Sequence, residues 1–153
     1  MTDTWYIRNL RDAQWKHAPG RGAVAVVLDD FEGERTSAQL GFNVFALDAG
    51  DEMSLYHREM DQEAFLVLQG EATLRVGDEE RQLRQWDFFH CPPGTPHQLL
   101  GGPCVIVAVA AREHDMVDFP RAANPEDPYG DVPPRESVGE ERLHELLERL
   151  AIT

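Results

Sequence analysis

The sequence predicts an all-β fold closed into a jelly-roll barrel, and three observations carry that prediction. Apolar residues fall in short runs with period-two alternation, Gly and Pro punctuate the runs at near-even spacing, and residues 23–110 show no alternation of strand with helix. Residues 5–17 carry Trp5, Tyr6, Trp15 and His17 and read as an opening strand or turn whose aromatics cover a sheet face. Residues 23–28 and 41–47 are the next two strands, with Phe42, Val44 and Ala46 alternating against Asn43 in the second. Residues 64–70 and 71–77 follow as two more. Ala72, Leu74 and Val76 share one face there, and Thr73 and Arg75 share the other. Gly77-Asp78 turns the chain into a more polar strand at 80–84, and residues 87–91 form another that stops at Pro92-Pro93-Gly94. Residues 97–100 and 104–110 complete the series.

The tail has a different composition. Residues 119–135 are rich in Pro, Asp and Asn and predict an extended surface arm. Ser137-Val-Gly-Glu140 fits a capping box, and Leu143, Leu146, Leu147 and Leu150 follow at helical spacing, so an amphipathic helix is expected over 138–150. Its apolar stripe is expected to dock on its own barrel in preference to a second subunit.

Length and charge bound the rest. At 153 residues and 42% hydrophobic, the chain suits one domain spanning 1–153, with a barrel core at about 40–110 and the arm and helix at 111–153. A formal net charge of −14 disfavours phosphate backbones and anionic lipid as partners, so neither nucleic acid nor membrane is expected. The longest apolar run, 104–111, is strand-sized. The first ten residues lack the basic start and apolar stretch of a signal peptide, which makes the cytoplasm the expected location. Two cysteines, Cys91 and Cys104, are too few for a disulfide framework and are expected as reduced thiols.

Chemistry concentrates in two stretches. In the first, His57 and Glu59 stand two apart and can project together into a barrel interior, and Glu63 keeps the same parity after a bend. In the second, His97 directly follows the rigid turn Pro92-Pro93-Gly94-Thr95-Pro96, which fixes where its imidazole enters. Imidazoles and carboxylates converging inside a barrel suit a divalent first-row metal, nitrogen donors being joined by anionic oxygen that offsets its charge. Tyr56, of opposite parity, is assigned to packing. His90, Cys91 and Cys104 read as ordinary strand residues, Phe65, Val67, Phe88 and Phe89 as core or cavity lining, and His17, His114 and His144 as solvated.

With these residues the sequence resembles the cupin superfamily. Its first motif is met at Glu63, a six-residue gap and Gly70, and its second at Pro92-x-Gly94-x-x-His97. The chain departs from the pattern at four points. Glu59 stands in place of the second His, six residues rather than five separate Gly50 from His57, Trp86 replaces a Gly, and Gly101 replaces an Asn. A competing register keeps five residues after Gly50 and turns Tyr56 and Arg58 inward. The two exclude each other, because a slip of one residue exchanges the faces of a strand. The register that turns His57 inward is preferred, since it retains a histidine and supplies an oxygen ligand.

The resemblance implies a double-stranded β-helix barrel, a homodimer and a metal held by His57, Glu59, Glu63 and His97. The ion is Fe, Mn, Zn or Ni, and Glu59 serves as ligand or as general base. A small metal-dependent enzyme acting on a small oxygen-bearing molecule, of dioxygenase, decarboxylase or isomerase type, is the first functional expectation. A non-catalytic cupin that binds a metal or small ligand, as a sensor or store, is the alternative. A third reading leaves the barrel inert and gives the tail a role in dimerisation.

Overall fold

The structure is a computed structural model that describes residues 5–28 and 39–151. Strands β1 (Trp15–Ala18), β2 (Gly22–Val26), β3 (Leu40–Leu47), β5 (Glu63–Val76), β6 (Glu79–Arg84) and β8 (His97–Ala111) form one antiparallel sheet. They lie in the order β1-β2-β3-β8-β5-β6, with β7 (Phe88–Cys91) also paired to β5 and the two-residue β10 (Glu136–Ser137) on the outer edge of β1. Short strands β4 (Arg58–Glu59) and β9 (Val117–Asp118) pair separately. Helix α1 spans Glu140–Arg149.

The long strands are covered on both sides, which explains why residues 104–111 form an unbroken apolar run instead of an alternating one. From β3 and β8, Leu47, Cys104 and Ile106 enter a barrel core with Phe65, Val67, Ala72, Leu74 and Leu99. Their neighbours Val44, Ala46 and Val105 face the opposite way, into a second core with Trp15, Ala25, Leu146 and Leu150. That second core is where α1 docks, so its leucine stripe packs on its own barrel as expected. Arg149 ties the helix end to the Asp48 carboxylate at 2.6 Å and donates to the Leu47 carbonyl at 2.8 Å.

Five details differ from the sequence reading. Residues 64–70 and 71–77 are one strand, because Gly70 takes φ +71° and the chain bulges between Val67 and Ala72 without breaking. A side chain at Gly70 would meet the Pro103 carbonyl oxygen, so only glycine lets β5 and β8 stay paired through the kink. The bulge also exchanges faces. Phe65 and Val67 point into the barrel before it, Ala72 and Leu74 after it. Residues 97–100 and 104–110 likewise belong to one strand, β8, which stays paired to β5 along its length.

The capping box does not form. Gly139, which has no side chain to cap with, is the N-cap, and Ser137 is held instead in β10 opposite Lys16. Trp5 covers no sheet and is 88% exposed, whereas Trp15 is buried and donates from Nε1 to the Leu10 carbonyl. The segment 119–135 lacks regular strands but is anchored. Phe119 and Tyr129 meet edge to face at 5.4 Å, Arg121 lies over the Tyr56 ring, and Arg135 donates to the Met53 carbonyl. Composition alone misses such contacts, which join residues far apart in sequence. Among the described residues no helix is long and apolar enough to cross a membrane.

Candidate metal centre

Three backbone devices bring the chemistry-bearing side chains together. Pairing of β5 with β7 sets Glu63 opposite Cys91. The proline turn then carries the chain from Cys91 to His97, closed by a hydrogen bond from the Thr95 amide to the Pro92 carbonyl and pinned by one from the Gly94 amide to the Glu59 carbonyl. Finally, His57 and His97 exchange both backbone hydrogen bonds, at 3.0 and 2.8 Å, in an isolated bridge. Ligating atoms of His57, Glu63 and His97 consequently lie within 4.8 Å of one another, and all three residues are buried.

The alternative register is not the one adopted. Tyr56 donates from its hydroxyl to the Gly77 carbonyl, and Arg58 points outward to pair with Asp118 at 2.6 Å. Glu59 returns toward the interior and sets Oε1 3.6 Å from His57 Nε2, but its side chain is 28% exposed and it stands outside the three-residue group.

Hydrogen bonding fixes the two rings. His57 Nδ1 lies 2.8 Å from the Leu55 carbonyl and His97 Nδ1 3.0 Å from the Thr95 carbonyl. A carbonyl only accepts, so Nδ1 carries the proton in each, and in the neutral ring the Nε2 lone pair faces inward. Against His97 Nε2, at 3.2 Å, stands Glu63 Oε2. Both atoms are buried, and neither has a hydrogen-bond partner. Burial holds His97 neutral, pushing it down to about 4, so the contact is not an ion pair at neutral pH. Burial, reinforced by the Glu59 charge, raises Glu63 to about 7. Burial also acts to lower His57, but the nearby Glu59 carboxylate, the Leu55 carbonyl and the Glu63 charge outweigh it and leave His57 above its ordinary value.

Of two further neighbours, the sequence reading assigned Cys91 to an ordinary strand position and did not single out Phe119. Cys91 Sγ lies 3.3 Å from His97 Nδ1, with its thiol pushed up to about 12 by burial. Phe119, from the arm, brings its ring 6.2 Å from that of His57. Period-two pairing could have flagged Cys91 as the residue opposite Glu63; nothing in the local sequence marks Phe119. Phe65 and Phe89 stack at 5.8 Å, and Phe89 meets His97 edge-on, whereas Phe88 is 63% exposed and lines nothing inside. His114 is exposed, as expected, and also meets the Asp61 carboxylate at 2.7 Å. A cavity of about 170 Å³ opens on the centre, lined by Phe45, Met53, His57, Glu59, Glu63 and Phe65 among others.

The donor set fits a divalent cation on an observation internal to the fold. With Glu63 ionised, two buried acceptors confront each other with no donor between them, an arrangement costly to leave unsatisfied and relieved either by a cation or by a proton on Glu63, the sense of its raised value.

Comparison with known proteins agrees with this architecture. Residues 43–109 match the family model described as Cupin domain. The polyketide cyclase RemF from Streptomyces resistomycificus superposes with a TM-score of 0.65 at 17% identity, covering 85% of this chain and 95% of that one. KdgF from a Halomonas species gives a TM-score of 0.60 at 18% identity over 73% of this chain and 97% of its own. An RmlC-like cupin from Shewanella frigidimarina gives 0.59 at 15% identity, over 73% and 95%. No curated protein matches the sequence. The sheet order, the two spaced motifs and the match over residues 43–109 lead to one conclusion: the barrel of this chain has the cupin fold, a double-stranded β-helix.

Proposed function

We propose that the protein is a metal-dependent cupin enzyme acting on a small oxygen-bearing molecule, with His57, Glu63 and His97 as the metal ligands. One observation carries the reading: Glu63 Oε2 and His97 Nε2, both buried and 3.2 Å apart, have no hydrogen donor. Two imidazoles and one carboxylate are a donor set suited to Fe(II), with Mn, Zn and Ni as further candidates. A divalent ion held there supplies Lewis acidity toward a carbonyl, hydroxyl or carboxylate oxygen.

The chain's own groups account for the remaining chemistry. The Leu55 and Thr95 carbonyls fix the Nδ1–H tautomers, which leave Nε2 free for a metal. Glu59, partly exposed at the cavity rim and 3.6 Å from His57 Nε2, is placed to complete the ligand set or to take a proton from a bound substrate. Phe45, Met53, Phe65 and Ala108 give the cavity apolar walls that keep bulk water from the reacting atoms.

The test is elemental analysis of the purified protein beside His97→Ala, followed by a turnover screen of the loaded protein with O2 uptake recorded. Stoichiometric metal lost in H97A, with product formed by the wild type, supports the reading. Metal without product over a broad screen favours the non-catalytic binder. A wild type that takes up no metal overturns the assignment.

A further inference from the structure

The barrel does not support the three proposed ligands equally. Glu63 opens β5 and His97 opens β8, and those two long strands are paired with each other along their length. His57 lies outside the strands, and its backbone meets the barrel in an isolated bridge to His97. The C-terminal arm supplies further support. Pairing of β4 with β9 sets Arg58 opposite Asp118 and Glu59 opposite Val117, and the same antiparallel register carried on by one residue brings Phe119 to His57. The two rings lie 6.2 Å apart, and Phe119 in turn meets Tyr129 edge to face at 5.4 Å. The Tyr129 hydroxyl accepts the Leu55 amide at 3.4 Å, and the Leu55 carbonyl is the group that holds His57 Nδ1.

These contacts bear on the ligand more than on the fold. Among the described residues, neither hydrophobic core of the barrel includes one from 112–135. Strands β4 and β9 lie outside the large sheet and form a ribbon of their own. Phe119 also stands outside the cavity lining, so its contact is with the His57 ring and not with a bound substrate. His97 is held differently, its ring lying among those of His57, Phe65 and Phe89. A single hydrogen bond at Nδ1 leaves an imidazole free to tilt about that bond. A second ring packed against it restricts the tilt and with it the direction of the Nε2 lone pair, the quantity on which metal affinity depends.

We propose that Phe119 is a positioning residue for His57, with Tyr129 behind it, so that the C-terminal arm completes a centre that the barrel strands only begin. Phe119 holds the ring directly, and Tyr129 acts on it through Phe119 and through the Leu55 backbone. This rests on the reading of His57 as a metal ligand and adds to it the element that aims the ligand.

The test takes two readings on the full chain and on its Phe119→Ala and Phe119→Leu variants. One is Mn(II) affinity by titration calorimetry. The other, on metal-free protein, is solvent exchange of the ring Nδ1 protons of His57 and His97 by NMR. The His97 proton is the internal control, since it makes the same kind of bond, to the Thr95 carbonyl, beyond the reach of Phe119. F119A should bind Mn(II) about tenfold more weakly. Its His57 proton should exchange about tenfold faster while that of His97 keeps its wild-type rate, the mark of a local loosening. F119L, which keeps apolar bulk without the ring, should fall between. An F119A in which either the affinity or the His57 proton stays at the wild-type value overturns the proposal. So does one in which both protons accelerate equally, which identifies general packing. Should F119A fail to fold, F119L is judged by the same two readings, any selective loss at His57 with weaker Mn(II) binding supporting the proposal and wild-type values overturning it. If the wild type takes up no Mn(II), the metal assignment fails separately, and proton exchange in the metal-free proteins decides the role of Phe119.

Discussion

Asp61 and Glu63 stand two residues apart, both are buried at 6% and 8% exposure, and each meets a histidine, yet their surroundings are opposite. Asp61 Oδ2 accepts the backbone N–H of His114 at 2.7 Å, and Oδ1 meets the His114 ring Nδ1 at the same distance. Those hydrogen bonds hold Asp61 below the usual carboxylate range and raise His114. Ionised Glu63 meets His97 through two acceptor atoms with no proton between them, because the one N–H of the neutral ring is already given to Thr95. What differs is the supply of donors. Asp61, Glu113 and His114 also cluster closely enough to hold an ion, but both Asp61 oxygens are already engaged by His114. A satisfied acid–histidine pair fastens one loop to another; an unsatisfied one calls for a cation.

The sharpest way to break this comparison is to neutralise each acid and count metal. Glu63→Gln should reduce bound metal to background by elemental analysis, whereas Asp61→Asn should leave it at the wild-type level. Equal losses in both would mean that the contrast in hydrogen bonding has no bearing on metal uptake.

Cys91→Ala probes the support behind His97. Removing a thiol 3.3 Å from Nδ1 loosens the ring without deleting a ligand, and metal affinity should fall by about tenfold in a chelator competition. The wild-type thiol should also resist alkylation in the folded state, being buried and held protonated.

Stability offers the third contrast. In metal-free protein E63Q should be more stable than wild type by about 1 kcal/mol in urea unfolding, since the Gln amide donates to the His97 lone pair. D61N should be less stable, because a charged acceptor is lost. A destabilised E63Q would show that Glu63 is already satisfied without a cation.

The smallest effect is a pH window. Asp61 is depressed, so its contribution is fully present above the unfolded carboxylate value near 3.8 and is lost as pH falls through the lower folded value. His114 is raised, so its contribution is fully present below 6.5 and is lost as pH rises through the higher folded value. Melting temperature of the wild type minus that of D61N should therefore be largest between those limits and shrink on either side. A difference independent of pH would remove the ion pair from the account.

How far the site was legible depends on the range of the contact. Glu63, Gly70 and the Pro92-to-His97 turn were readable because a kink and a proline turn impose fixed residue spacings, and those spacings survive in the sequence. Parity made an inward His57 exclusive of an inward Tyr56 and Arg58, and the choice between them rested on the histidine and oxygen ligand that the first register retains. The continuity of β5 through Gly70 was hidden, since a glycine that bends a strand and one that ends it look alike until the partner strand is seen. Phe119, Tyr129 and Arg135 were hidden for a different reason. They reach the barrel from an aperiodic arm across long sequence separations, and composition rich in Pro and Asp carries no record of where such an arm lies. Ser137 misled because pairing with Lys16 outweighed a local capping preference.

The most direct test is a crystal structure of the purified protein with anomalous diffraction recorded at the absorption edges of manganese, iron, nickel and zinc. The account predicts one strong anomalous peak at bonding distance from His57 Nε2, His97 Nε2 and a Glu63 oxygen. A peak elsewhere, or none together with a Glu63 carboxyl hydrogen-bonded to His97 Nε2, would contradict it.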